Sequence, residues 1–205
     1  MSSIDRLFAL TEQMAEEGVS LIPRVVSGDA PFTQWTHYPS GDAISPKTKS
    51  RWFYHAHPPE QRAEGEHGHF HIFLPLDMFK GIKPLAEPNP DAFPSGKKRA
   101  KLPAKVVHIG ALAFDTDGMP SYWFTANRWV TDEYLLPADA IIKRLHRFNV
   151  DDASGDAIVN QWITAAVESF PETIADLLLK RDTVLADQDY EDTAVEITAR
   201  ADFDF

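Results

Sequence analysis

Apolar residues recur along this chain with two periods, and the switches between them divide it into elements. Over residues 3–17, Ile4, Leu7, Phe8, Met14 and Ala15 recur at helical spacing with Thr11 among them. Ser2 with Asp5 supplies an N-cap and Gly18 a stop, so the pattern predicts an N-terminal helix packed on a sheet. Residues 19–50 are irregular: VSLIPRVV predicts a short strand broken by Pro23, and Pro31, Pro39, Gly41 and Pro46 follow among polar residues. His37 in this stretch reads as a loop histidine, with an extra-ligand role as the alternative.

The period then becomes two. In RWFYHAHPPEQRAEGEHGHFHIFLP (51–75), Trp52, Tyr54 and Ala56, then Phe70, Ile72 and Leu74, occupy alternate positions. Side chains two apart on a strand share a face. Two antiparallel strands are therefore predicted, joined by a loop punctuated by Pro58, Pro59, Gly65 and Gly68. Their apolar face packs on a core. Their other face carries His55 and His57 from the first strand and His67, His69 and His71 from the second.

Residues 76–104 form a long loop with Pro84, Pro88, Pro90, Pro94 and Pro103. KVVHIGALAF (105–114), the turn at Asp115–Gly118 and PSYWFTANRW (120–129) predict a second hairpin. On its first strand His108 shares a face with Val106, Gly110 and Leu112, and reads as a satisfied core histidine rather than a ligand. Helices follow over 137–148, on Ile141, Ile142, Leu145 and Phe148, and over 156–168, on Ile158, Val159, Trp162, Ile163, Ala166 and Val167. Ser169 and Glu172 have capping-box spacing for a further helix to about Asp187, which makes a C-terminal helical hairpin. The last residues, 188–205, read as an acidic tail that docks Phe203 and Phe205. The order of elements predicts an α+β fold: an antiparallel β-sheet of about four to six strands with a histidine-lined face, an N-terminal helix and a C-terminal helical hairpin. Residues 1–150 form the α+β domain, and 151–205 the acidic hairpin and tail packed on it.

Charge sharpens that division. The formal net charge is −11; residues 1–150 hold 17 acids and 17 Lys or Arg, and residues 151–205 hold 14 acids and 3 bases. Such a balance disfavours nucleic acid and anionic membrane as partners. The opening residues carry acids and lack an apolar secretory core, and no run of 18 apolar residues occurs, so a cytoplasmic protein is expected. There are no cysteines, which excludes disulfides and thiolate ligands.

Five of the eight histidines therefore fall within residues 55–71 and converge on one predicted face. Neutral imidazole is a common metal ligand and suits Fe, Zn and Cu. The expected site is a transition metal ion held by His55, His57, His69 and His71, with His67 and Glu66 as further candidates and Glu60 as another carboxylate. A solvated face or a chain of hydrogen-bonded histidines is the alternative. Asn127 and Arg128, with Lys97 from GKKRAKLPAK (96–105), are candidates for holding a small-molecule substrate, although Arg128 has Asp132 and Glu133 as equally near partners. A solvated charge run is the other reading of that basic stretch. The C-terminal helices are a candidate surface for a protein partner or a second copy of the chain.

Three resemblances bear on the chemistry. His55-Ala56-His57 is similar to the cupin H-x-H motif, but Glu60 follows too soon and a second histidine motif does not align. His67-Gly68-His69-Phe70-His71-Ile72-Phe73 resembles the motif of the histidine-triad nucleotide hydrolases, with Gly68 off-pattern. That resemblance implies a phosphorus-attacking His69 supported by His67 and His71, with no metal. It covers seven residues and leaves His55 and His57 unexplained. YHAHPPEQRAEGEHGHFHIFLP (54–75) and WFTANRWVTDE (123–133) resemble the blocks of an uncharacterised bacterial family of unknown function, which implies no particular reaction. The expected function is a metal-dependent enzyme acting on a small molecule, with a non-catalytic metal-binding or partner module as the alternative.

Overall fold

Six antiparallel strands form one sheet in the order β1-β2-β3-β4-β5-β6, each beside its neighbour in sequence. They are β1 (Tyr38–Ile44), β2 (Arg51–His55), β3 (Glu66–Pro75), β4 (Val106–Asp115), β5 (Pro120–Ala126) and β6 (Ile197–Asp202). The helices are α1 (Ser3–Glu17), α2 (Leu21–Val25), α3 (Arg128–Thr131), α4 (Ala138–Ile142), α5 (Ala157–Ser169) and α6 (Pro171–Leu185). This computed structural model describes residues 1–26, 31–89, 104–188, 190 and 192–204. The architecture is α+β, and no helix among the described residues is long and apolar enough to cross a membrane.

One face of the sheet is the core. Trp52, Tyr54, Phe70, Ile72, Leu74 and Trp123 are buried there against Leu7 and Met14 of α1, Trp162 and Ile163 of α5, and Leu177 and Leu178 of α6. α1 forms as its sequence predicts: Ser2 and Asp5 cap each other reciprocally, and Gly18 ends the helix in the left-handed conformation. Two of the buried indoles find partners, Trp52 donating to Asn160 at 2.9 Å and Trp162 to Thr11 at 3.0 Å. Phe203 closes the far end, its ring 4.6 Å from that of Phe170.

Several expectations are corrected. The stretch around Pro23 is the short helix α2, where proline sits in the first turn and its missing N–H costs no hydrogen bond. The return strand stops at Ala126 because Asn127 caps α3. The helix expected over 137–148 is α4 followed by a single 3-10 turn at Leu145–Arg147, which still buries Ile141, Leu145 and Phe148. α5 runs through Ser169, so Phe170 rather than Ser169 precedes α6 and no capping box forms. The acidic tail supplies β6, which pairs along β5 from Tyr122↔Asp202 to Ala126↔Ile197. Phe205 lies outside the described residues.

Two bulges decide which side chains reach the other face. Along β3, Glu66 stands opposite Asp115 and Gly68 opposite Phe114, so His67 is an inserted residue. Along β4, Gly110 stands opposite Ile72 and His108 opposite Phe73, so Ile109 is inserted. An inserted residue reverses the alternation beyond it. His67 is thereby turned to the core side, where its Nδ1 meets the Tyr54 hydroxyl at 2.5 Å. Glu66 and His108 are turned to the side of His69 and His71.

Gly68 sits beside the first bulge under backbone. A Cβ there would lie 2.5 Å from the His55 carbonyl oxygen and 2.5 Å from the Tyr54 hydroxyl. Tyr54 is fully buried, so it has no free direction to move. Gly68→Ala is expected to cost about 1–3 kcal/mol by overpacking. In a chain of this length that lowers the midpoint of a thermal melt by roughly 3–10 °C. An unchanged midpoint would show that the two strands separate there at no cost.

Candidate metal centre

The face away from α1, α5 and α6 is polar in the middle and apolar at its margins. β2 contributes His55 and β3 contributes His69 directly opposite it. Cross-strand partners are the closest side-chain pairs in a sheet, and the His55 Nε2 and His69 Nε2 atoms stand 2.8 Å apart. His57, just beyond β2, brings its ring to 5.0 Å from that of His55 and 5.1 Å from that of His69. His71 lies 4.8 Å from His69 and 5.1 Å from His55, ring to ring. One nitrogen from each of His55, His57 and His69 falls within 4.8 Å of the other two, and all three residues are buried. Three buried histidines are thus placed where they could hold one metal ion.

The hydrogen bonds behind these rings set their tautomers. Glu66 Oε1 lies 2.7 Å from His69 Nδ1, and Glu66 Oε2 accepts a hydrogen bond from the Tyr122 hydroxyl. Burial raises the Glu66 pKa, but the hydrogen bonds from His69 and Tyr122 outweigh it and hold the carboxyl below its ordinary value. An ionised Glu66 holds a proton on His69 Nδ1 and turns the ring's Nε2 toward His55. His108 Nε2 lies 3.0 Å from His71 Nδ1. In the tautomer that donates from His71 Nδ1 to His108, the His71 Nε2 is bare. His71 Nε2 and His57 Nε2 are both buried without a hydrogen-bond partner. A buried, unpartnered imidazole nitrogen is costly as it stands and is what a metal ion would satisfy.

Burial also favours the neutral form of His55, His57, His71 and His108. It pushes His55 down to about 2, with His69, His57 and His37 adding repulsion. It pushes His57 down to about 4 and His108 to about 3, and it holds His71 well below the ordinary value. Neutral rings are the ligand form. Two ring nitrogens 2.8 Å apart need something between them: an N–H of one tautomer donated to the other ring, or a metal ion that takes both lone pairs. The residues fit a nitrogen-binding metal: facing ring nitrogens, a carboxylate behind one ligand, and no thiolate competitor in the chain.

Above the rings is a pocket of about 310 Å³ whose lining includes His57, His69, His71 and Glu66. Phe124, Ala126, Val130 and Ile197 supply apolar wall, and Gln61, Glu196 and Arg200 polar rim. Trp35 stacks on His57 with ring centres 4.2 Å apart. It holds a left-handed backbone, φ 65, pinned by its N–H to the Ala56 carbonyl at 3.0 Å.

The remaining sequence candidates are placed elsewhere. Glu66 stands behind His69, both its oxygens engaged, and His67 is on the other side of the sheet. Glu60 lies in a single 3-10 turn, exposed. His37 stacks on Phe53 at 3.6 Å, half exposed. Asn127 accepts from the Arg128 N–H, and the buried Arg128 guanidinium pairs with Asp132 at 2.6 Å, away from the pocket lining. Lys97 lies outside the described residues. The Tyr122 hydroxyl, the outward turn of His108 and the Arg200 rim have no signal in the sequence. Each depends on a strand register or a bulge that composition does not reveal.

A family model described as a domain of unknown function (DUF6969) matches residues 2–203, and the chain belongs to that family. No curated protein and no solved structure matches it.

Proposed function

We propose that this member of the DUF6969 family binds one transition metal ion through His55, His57 and His69, with His71 adjacent, and acts on a small molecule that enters the pocket above them. The observation that carries this reading is the pair of Nε2 atoms 2.8 Å apart, backed by Glu66 and flanked by unpartnered nitrogens on His57 and His71. Imidazole-only ligation suits Zn, Cu or Fe. Such an ion supplies Lewis acidity or an activated water or oxygen species. The chain's own residues orient the ligands and shield them. Glu66 keeps the proton of His69 on Nδ1, His108 does the same for His71, and Trp35 covers the outer face of His57.

Histidine-triad chemistry finds no support in the geometry. His67 faces the core and bonds Tyr54, so the three histidines of that motif do not line one face. The test is elemental analysis of the chain purified without a histidine tag. About one equivalent of a first-row metal is expected, since a site of micromolar affinity or better stays filled through gentle purification. Less than about 0.2 equivalents, with no uptake of Zn, Cu or Fe on reconstitution at micromolar protein, would overturn the proposal.

A further inference from the structure

The pocket rim suggests what kind of molecule enters. β6 places Arg200 opposite Phe124, on the histidine side of the sheet. The Arg200 guanidinium lies over the Tyr122 ring, 4.7 Å from its centre. Tyr122 in turn donates to Glu66 behind His69, so Arg200 is stacked on the same support that orients a candidate ligand. Arg200 is the one Lys or Arg among the residues lining this pocket. Among the described residues no carboxylate lies within ion-pair distance of it, although residues 151–205 carry 14 acids and only 3 bases. A cation left unpaired in so acidic a segment, held over an aromatic ring at a pocket mouth, is placed for an anion from outside.

We infer that the pocket takes a small monocarboxylate with an apolar body, its carboxylate on Arg200. The guanidinium fork matches two carboxylate oxygens in one plane. A dianion is disfavoured because Glu66 and Glu196 line the same pocket and only one base answers them. Phe124, Ala126, Val130 and Ile197 give the carbon skeleton an apolar wall. The volume, about 310 Å³, suits a compact molecule rather than a polymer segment. The assignment deepens the metal-site reading, because the end of such a ligand away from Arg200 lies toward the histidines.

The test is calorimetric titration of the full chain, metal-free and metal-loaded, with hexanoate, hexanamide and hexylphosphonate at neutral to slightly alkaline pH. Hexanoate is expected to bind at least about 10-fold tighter than either of the others, as expected for a charge-assisted bond that only the monocarboxylate makes well. Arg200→Gln is expected to erase that preference while the metal content by elemental analysis is unchanged, and Arg200→Lys to keep part of it. Glu196→Gln is expected to tighten hexanoate by removing a like charge. Equal binding of acid and amide, binding indifferent to Arg200→Gln, tighter binding of the phosphonate, or no hexanoate binding at all would each overturn the inference. Hexanoate binding that depends on Arg200 in a chain that takes up no metal would leave this inference standing and sink the metal reading. A full metal equivalent with no Arg200 dependence would do the reverse.

Discussion

Replacing His69 by alanine is expected to strip the chain of its metal ion, lowering affinity by well over about 100-fold. The comparison behind that figure is that removal of mere outer partners of a metal ligand costs 10–100-fold. His69 is the histidine on which the others converge. Its ring lies within 5.1 Å of those of His55, His57 and His71. It is held by a hydrogen bond to a carboxylate, Glu66 at 2.7 Å, whereas Glu196 stands 3.9 Å from His57. Glu66→Gln is the graded control: the ring survives, its support weakens, and a loss of about 10–100-fold is expected. His67→Ala is the negative control. It should leave metal uptake intact while exposing the buried Tyr54 hydroxyl to an unmet hydrogen bond, at about 1–3 kcal/mol in a urea melt. Titration with Zn or Cu followed by elemental analysis ranks all three. An affinity for His69→Ala equal to that of the parent chain would place the site elsewhere.

The contrast between His69 and His67 shows where the sequence is legible. Alternation with Trp52, Tyr54, Phe70, Ile72 and Leu74 assigns His55, His69 and His71 to one face, and the structure pairs His55 with His69 directly. The same counting fails at His67 and His108. Each lies at or beyond a single inserted residue, and an insertion that reverses parity leaves no trace in the pattern of apolar positions. Gly68, off-pattern for a histidine triad, is explained by the close approach of the His55 carbonyl and Tyr54. β6 is illegible for a different reason. Its ITARAD segment is only half-buried and has no strong alternation, and it becomes a strand because β5 offers an edge to pair with. Arg128 has a carboxylate four residues on, and the structure gives it that partner, Asp132.

Acid is expected to unfold the metal-free chain well above the pH at which most carboxylates titrate. In the unfolded chain each imidazole takes up a proton near pH 6.5. In the folded chain burial holds His55 down at about 2, His57 at about 4 and His108 at about 3, and His71 well below its ordinary value. The unfolded state therefore binds more protons throughout this window. Stability is present in full above pH 6.5 and is lost as the pH falls toward the folded values, by up to about 1.4 kcal/mol per pH unit for each histidine. Four such rings give a loss of roughly 4–8 kcal/mol by about pH 5, comparable with the whole stability of a domain. Urea midpoints at about pH 7.5 and about pH 5 measure it. Bound metal should restore about 4 kcal/mol at a thousandfold excess over its dissociation constant. That protection should itself fade in acid as protons compete for the same nitrogens. His108→Gln isolates one member: its amide oxygen can still accept from His71 Nδ1, and one titrating group is gone. The pH slope of its midpoint should drop by about one proton. A midpoint level from pH 7.5 to about 5 in the parent chain would mean that water reaches these rings, and the dry, neutral ligand cluster would then be the wrong description of this face.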